Sequence, residues 1–253
     1  MFIIVAMRSL SRTLRGALRT LGADTARTVA VTCGSVLVIG VSYGATAHDA
    51  GLATWQIITI ATVVLAGSSE FVLIGVIAGG GAPILGALAG LLVNTRHLGY
   101  GLSVGPHMGR GMRLLAGAHL LNDESAAMTA AQRDPRRARL TFLACGIGVL
   151  ITWPLGAWLG SVVGHVVAEP DSLGIDAAFP ALLFALAIPA LKERRTAVAA
   201  LLGGVIAFAV SPVAPAGVPV LLALIGVAVA QLVPASASEA ENIAERANDP
   251  VSA

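Results

Sequence analysis

Apolar residues fall in long runs along the chain, and short polar stretches separate these runs. The first run, residues 29–47, holds no Asp, Glu, Lys or Arg. At about 1.5 Å of rise per residue, it is long enough to cross a hydrocarbon core of about 30 Å as a helix. Further apolar runs follow at residues 57–79, 83–104, 114–130, 140–167, 177–191, 196–210 and 217–233. The pattern predicts a succession of membrane-spanning helices.

The number of spans depends on the run 114–130, which is short and carries Asn122, Asp123 and Glu124. It is compatible with a crossing helix and equally with a re-entrant or interfacial one. Counting it as a crossing gives eight spans, and omitting it gives seven. We therefore predict an all-α, polytopic transmembrane helical bundle of seven or eight spans with at least one broken or re-entrant helix. Trp153 and Pro154 in the run 140–167 are interpreted as a packed kink.

Composition supports the membrane interpretation. Of the 253 residues, 56% are hydrophobic and 12% are charged, and the mean hydropathy is +0.84, whereas a soluble domain carries about 25% charged residues. A soluble domain is thus excluded. The two cysteines, Cys33 and Cys145, lie in apolar runs without a histidine or cysteine at metal-ligand spacing, so we expect no metal site and no cofactor.

The basic residues indicate the orientation of the chain. They cluster beside apolar runs, at residues 8–27, 133–139 and 192–195. The positive-inside rule places these clusters in the cytoplasm, with both termini inside. In the eight-span topology Arg96, Arg110 and Arg113 are the exceptions. Because the basic residues serve orientation, the net charge of +2 does not indicate nucleic acid as a partner.

Three segments follow from these patterns. Residues 1–28 are predicted to form a basic, interfacial lead-in on the cytoplasmic side, with Met7 as an alternative start to Met1. Residues 29–233 are predicted to form the transmembrane domain. Residues 234–253 are polar and acidic, which predicts a disordered cytoplasmic tail. We expect a multi-pass protein of the cell membrane with a cytoplasmic N-terminus.

Glu70 lies near the middle of the run 57–79, where an ionisable residue costs about 2.5–3.5 kcal/mol on insertion scales. In the functional interpretation, Glu70 carries a proton or binds substrate. In the alternative, Glu70 stays protonated or bonds to a neighbouring helix and has only a structural role. Gly67, Ser68 and Ser69 precede it. Such residues predict either a broken helix that exposes backbone polar groups to a substrate or a close helix contact.

A second polar group, in the run 83–104, comprises Asn94, Arg96, His97 and Tyr100. Arg96 and Tyr100 lie one helical turn apart on one face. An arginine at this depth requires an anion, which could be Glu70, a carboxylate of the run 114–130 or a bound solute; the alternative is snorkelling to the interface. His97 is either a proton relay or a histidine bonded to a neighbouring helix.

Asp123 and Glu124 are adjacent on the run 114–130. Successive helical residues are about 100° apart, so the two carboxylates should face different neighbours. One is expected to pair with Arg96 or to take an ammonium group or a proton. If the helix is interfacial, both carboxylates are simply solvated.

Several of these residues, in this order, resemble the AzlC-type permease family. The resemblance covers residues 35–190 and rests on residues 40–44 before Gly51-Leu52, on the stretch 66–68, on 94–97 with Tyr100, on Asp123-Glu124, and on 174–176 before an apolar run. Where the family usually has glutamine after its small-residue stretch, this chain has Glu70.

The resemblance implies an exporter of branched-chain or similar apolar amino acids that works with a small AzlD-like membrane subunit. It also implies that Arg96 meets a carboxylate, and that Asp123 or Glu124 meets an amino group or a proton. The leading hypothesis is a proton-coupled secondary transporter. The alternatives are an intramembrane enzyme using His97 with a carboxylate, and a non-transporting channel or scaffold subunit.

Overall fold

The computed structural model describes residues 20–166, 188, 191, 193–214, 218–230 and 232. Most of the predicted lead-in and of the run 177–191, and the whole tail 234–253, lie outside the described residues. Within those described, the regular elements are helices: α1 (Ala23–Asp49), α2 (Thr54–Val63), α3 (Gly67–Ala78), α4 (Pro83–Asn94), α5 (Arg96–Met108), α6 (Met112–His119), α7 (Asp123–Ala130), α8 (Pro135–Val166), α9 (Arg194–Val210) and α10 (Val218–Ala230).

The two longest helices, α1 and α8, form a parallel pair along their full length. Arg137 donates to Thr25 at the starting end of the pair, with 2.7 Å between Nη2 and Oγ1, and Gly164 lies against His48 at the far end. By length and composition both helices could cross a membrane. The prediction of apolar helices from the runs 29–47 and 140–167 is therefore confirmed.

Glycines at four-residue spacing allow this close approach. They are Gly40 and Gly44 in α1, and Gly156 and Gly160 in α8. A Cβ atom at Gly40 would lie 2.9 Å from the carbonyl oxygen of Trp153, and one at Gly44 would collide with the Ala157 carbonyl. Small residues at this spacing are the usual means by which membrane helices pack backbone to backbone.

Helices α2 and α3 form a hairpin at the far end of the α1–α8 pair. The chain breaks between Val63 and Gly67, where Leu65 has a φ of 49°. Trp55 of α2 and Ile77 of α3 line one cavity with residues 50–52, so the chain enters and leaves by the same end. The prediction that the run 57–79 crosses as one span is wrong, because hydropathy registers length and not a reversal of direction. The expected break in this run is present, just before Gly67.

The chain then crosses from the far end to the starting end through α4 and α5, which meet at Thr95. Gly86 and Gly90 of α4 pack against α3: their Cβ atoms would lie 3.0 Å from the Leu73 carbonyl oxygen and 2.9 Å from the Ser69 carbonyl oxygen. The run 83–104 is thus two half-helices, and its polar residues Asn94 to His97 surround the joint.

Helices α6 and α7 form a second hairpin, which opens at the starting end. Arg110 and Arg113 line one cavity with Arg139 of α8, so the α5–α6 turn and the start of α8 lie at the same end. The prediction that residues 114–130 cross as one helix is therefore wrong, as is the placement of Arg110 and Arg113 opposite Arg139. The alternative of a broken, re-entrant segment agrees with the structure.

The same order of elements thus occurs twice in opposite directions. Each copy is a long crossing element, a short helix, a three-residue break, a returning helix and a four-residue connection that ends at a proline, Pro83 or Pro135. Ser69 and Ser125 occupy equivalent first-turn positions. Their hydroxyls donate to the carbonyls of Ala66 and Asn122, at 2.8 and 3.2 Å. Inverted repeats with broken helices at their interface are a recurrent transporter architecture.

Helices α9 and α10 form an antiparallel pair. Gly203 of α9 faces Ala223 and Gly226 of α10 so closely that a Cβ at Gly203 would lie 2.7 Å from the Ala223 carbonyl oxygen. This third glycine-mediated helix contact is again typical of membrane helix packing.

Candidate functional site

The first part of the site surrounds Glu70, in the first turn of α3. Its side chain is 1% exposed. Its Oε1 accepts from the backbone N–H of Ala66 at 3.0 Å, and the indole Nε1 of Trp153 lies 3.1 and 3.2 Å from Oε1 and Oε2. The hairpin break creates the first of these contacts, because it leaves the Ala66 N–H without a helical partner. The carboxyl is thus held by two neutral donors from different elements.

Aromatic rings enclose this carboxyl. The ring centroid of Tyr43 lies 5.1 Å from that of Trp153 and 5.4 Å from that of Phe71. Tyr43 is fully buried, and among the described residues its hydroxyl has no hydrogen-bond partner. The sequence interpretation missed Tyr43 and assigned Trp153 only to a kink. A tryptophan in an apolar run needs a partner for its N–H, and that requirement could have indicated its role.

A cavity of about 240 Å³ lies beside Glu70, between α2, α3 and α4. This volume corresponds to about eight water molecules. Ser69, Glu70 and Asn94 supply its polar groups. The remaining walls are apolar or small: Ile60, Val64, Leu73, Ala87, Gly90 and Leu91. Of the residues predicted from the sequence, three are brought together here, whereas Ser68 does not line this cavity; its buried hydroxyl makes no hydrogen bond to the described residues.

The second part of the site is an ion pair between α5 and α7. Nη2 of Arg96 lies 2.6 Å from Oδ2 of Asp123, and the Tyr100 hydroxyl donates to Oδ1 at 2.8 Å. Of the anions expected for Arg96, Asp123 is the one that it contacts in the structure. The Nε of Arg96 is buried and, among the described residues, lacks a hydrogen-bond partner. The guanidinium therefore retains a donor for a further anion.

The start of α7 fixes the position of Asp123. Asn122 caps the helix by accepting from the Ser125 N–H at 2.8 Å, and the Ser125 hydroxyl oxygen accepts from the Asn122 N–H at 2.9 Å. This reciprocal cap orients the first turn. The carboxylate also lies at the positive end of the α7 dipole. Arg96 pairs with Asp123 and not with Glu124, which is partly buried. That the adjacent carboxylates face different neighbours stays a prediction.

Asn94 and His97 connect the two parts. Nδ1 of His97 lies 3.2 Å from the Asn94 carbonyl oxygen, and its ring packs edge to face on Tyr100, with 5.5 Å between centroids. Asn94 lines the Glu70 cavity, and within the described structure its buried Oδ1 has no hydrogen-bond partner. The joint at Thr95 therefore places one amide in the cavity and the neighbouring guanidinium in the ion pair.

Broken helices with ionisable side chains at the breaks, inside an apolar bundle, are the features of a membrane transport protein. The model of the AzlC protein family matches residues 31–167, and the chain belongs to this family. It is 27% identical over 199 residues to the branched-chain amino acid transport protein AzlC of Bacillus subtilis (strain 168), covering 76% of this chain and 77% of that protein. No solved structure matches significantly. The prediction of the family is confirmed.

Proposed function

We propose that the protein is a secondary transporter that exports branched-chain or similar apolar amino acids. The observation that carries this proposal is the cavity beside Glu70. It combines a buried carboxyl and an amide with apolar walls from three helices. Cavities for drug-sized ligands measure about 300–1,000 Å³, so one of about 240 Å³ suits a smaller solute.

The apolar side chain of the substrate would lie against Ile60, Leu73 and Leu91, and its ammonium group beside Glu70. Desolvated carboxylates bind ammonium groups through charge-assisted hydrogen bonds. The substrate carboxylate would then meet the free donor of Arg96, next to the joint at Thr95. The relative's name, a branched-chain amino acid transport protein, supports the same substrate class.

The ion pair between Arg96 and Asp123 is proposed as the gate. It joins the crossing element α4–α5 to the α6–α7 hairpin, and its side chains are 27% and 41% exposed. A substrate carboxylate bound at the free Nε donor shares the guanidinium charge with Asp123 and so weakens the ion pair, which couples substrate binding to release of the hairpin. Tyr100 holds the pair through its hydrogen bond to Asp123, and the His97 ring packs on Tyr100.

Proton coupling is assigned to Glu70. Its hydrogen-bond donors in the described structure are a backbone N–H and an indole, and no described arginine or lysine pairs with it. A buried carboxyl without a cation is costly when ionised, so it favours a proton or a substrate ammonium group as its partner. The exchange of these two partners is the proposed coupling step.

The proposed topology has six crossings and two re-entrant hairpins within the transport domain 29–233, with both termini cytoplasmic. The crossings are α1, α4–α5, α8, α9 and α10, together with the span that the sequence predicts for the run 177–191, most of which lies outside the described residues. Every basic residue except Arg96 then falls on the cytoplasmic side, which satisfies the positive-inside rule better than eight simple spans. A small AzlD-like membrane subunit is proposed as the partner.

Cysteine labelling tests this topology on a background without Cys33 and Cys145. Ala82→Cys is expected to react from outside and Met112→Cys from inside, with Ala53→Cys as an outside control; all three positions are exposed. The eight-span topology predicts the reverse for the first two positions. Labelling in that reversed pattern would refute the arrangement with two hairpins.

Transport itself is tested with proteoliposomes that contain the chain, with and without a small neighbouring membrane subunit. We expect leucine counterflow that depends on the pH gradient, and loss of that dependence in Glu70→Gln with normal folding by size-exclusion chromatography. Proton-coupled leucine movement that persists in Glu70→Gln would exclude Glu70 as the coupling group. Absence of amino-acid movement under all conditions would exclude the function.

A further inference from the structure

A large polar cavity lies at the starting end of α8, apart from the transport site. Its volume is about 710 Å³, and its polar side chains are those of Arg110, Arg113 and Arg139. The three arginines come from the α5–α6 turn, the first turn of α6 and the first turns of α8. Three separate parts of the chain therefore each contribute an arginine to the lining of this cavity.

None of these three arginines forms an ion pair with a described residue. The ion pair among the described residues joins Arg96 and Asp123. Asp134, the acidic residue closest in sequence to Arg139, does not line the cavity. It caps α8 instead, accepting from the Arg137 N–H at 2.7 Å. Like charges around one cavity repel one another, and a bound anion offsets that repulsion.

Glycines shape the cavity and leave room for a ligand. Gly109 and Gly111 have φ values of 107° and 58°, a region that residues with a Cβ atom rarely adopt. These two positions reverse the chain between α5 and α6 and bring Arg110 and Arg113 to Arg139. A Cβ at Gly105, in the cavity wall, would meet no heavy atom within 4 Å, so this wall is open.

We propose that this cavity binds a phosphate group, carried by an anionic phospholipid headgroup or present as free phosphate. A guanidinium group can bind a phosphate group through two parallel N–H···O hydrogen bonds. Basic pockets between transmembrane helices on the cytoplasmic side bind phospholipid headgroups, and the cavity lies at the end where the basic residues gather. A bound phosphate bridges α6 to α8 and so holds the α6–α7 hairpin against the α1–α8 scaffold.

The test measures thermal unfolding of the delipidated full-length protein in detergent with added phosphatidylglycerol, phosphatidylcholine or inorganic phosphate. Phosphatidylglycerol is expected to raise the unfolding midpoint. Arg113→Gln or Arg139→Gln should weaken this lipid affinity about fivefold each, as expected for about 1 kcal/mol per basic residue. Arg113→Lys keeps the positive charge but cannot form two parallel hydrogen bonds to one phosphate, so it should lower the lipid affinity less than Arg113→Gln does. Arg136→Gln is the matched control, because Arg136 is exposed on the same turns of α8 and does not line the cavity.

The outcomes separate the two sources of phosphate. A midpoint raised by phosphatidylglycerol and not by inorganic phosphate identifies the headgroup, and one raised by both in an Arg113-dependent way identifies the phosphate itself. Two results would overturn the proposal: an equal response to phosphatidylcholine, or lipid affinity unchanged in Arg113→Gln and Arg139→Gln. A leucine-induced rise lost in these same variants would assign the cavity to substrate instead and also refute it.

Discussion

Replacing Trp153 by phenylalanine removes the indole N–H from the Glu70 carboxyl and keeps an aromatic ring in the same place. Trp153 is 4% exposed and Glu70 is 1% exposed, so the indole side of the carboxyl is closed to bulk water. Leaving a buried hydrogen-bonding group without its partner costs about 1–3 kcal/mol. For a protein of this size each kcal/mol shifts the unfolding midpoint by about 2–4 °C, which gives an expected loss of about 2–12 °C.

A double-mutant cycle isolates this hydrogen bond from the packing loss of the smaller ring. The four proteins are wild type, Trp153→Phe, Glu70→Leu and the double variant. Because leucine offers no acceptor, the hydrogen-bond part of the Trp153→Phe effect should vanish in the Glu70→Leu background and only the packing part should remain. Trp158→Phe, on the same helix and 44% exposed, serves as the control and should show no dependence on residue 70.

The readout is the fraction of protein that remains monodisperse on size-exclusion chromatography after heating, because tryptophan fluorescence changes with the mutation itself. If Trp153→Phe lowers the midpoint equally in both backgrounds, the indole does not support the carboxyl. The account of how Glu70 is held at the break between α2 and α3 is then wrong.

Three further predictions concern packing, specificity and the gate. Gly160→Leu should abolish accumulation of folded protein, because the leucine side chain would collide with the Val41 carbonyl. Gly75→Leu is the control: a Cβ there meets no heavy atom within 4 Å, so this variant should accumulate normally in membranes. Ala87→Leu fills the cavity wall and should reduce leucine counterflow at least tenfold more than alanine counterflow; equal losses would remove the cavity from substrate selection. Asp123→Asn leaves Arg96 unpaired at partial exposure, and we expect a cost of about 1–2 kcal/mol and a large fall in leucine counterflow; unchanged counterflow would exclude the gate.

The amino-acid sequence predicts the long helices well and the hairpins poorly. Hydropathy measures the length of an apolar run, and α1 and α8 are long runs without a reversal. In the run 57–79 the reversal depends on the conformation of Leu65, for which the sequence carries no specific signal. In the run 114–130 it depends on the Asn122–Ser125 cap. That cap could have been predicted, because asparagine is among the residues most favoured at a helix N-cap.

The polar contacts divide in the same way. Arg96 required an anion, and Asp123 was among the few candidates, since ionisable residues in apolar runs are scarce. The contact between Glu70 and Trp153 joins residues 83 positions apart, and tryptophan has too many packing roles for its partner to be deduced from position alone. Predictions based on charge scarcity therefore succeeded, whereas those that needed the relative placement of helices did not.

The two inverted copies explain why ionisable residues persist inside an apolar bundle. Each hairpin turns back at a break, and each break starts a returning helix whose unpaired N–H groups favour a carboxyl group. The two carboxyls nevertheless differ in their partners. Asp123 already has a cation, Arg96, whereas Glu70 has neutral donors. Under the proposed function, this asymmetry leaves Glu70 to exchange a proton for a substrate ammonium group, while the ion pair of Asp123 with Arg96 holds the opposite hairpin shut.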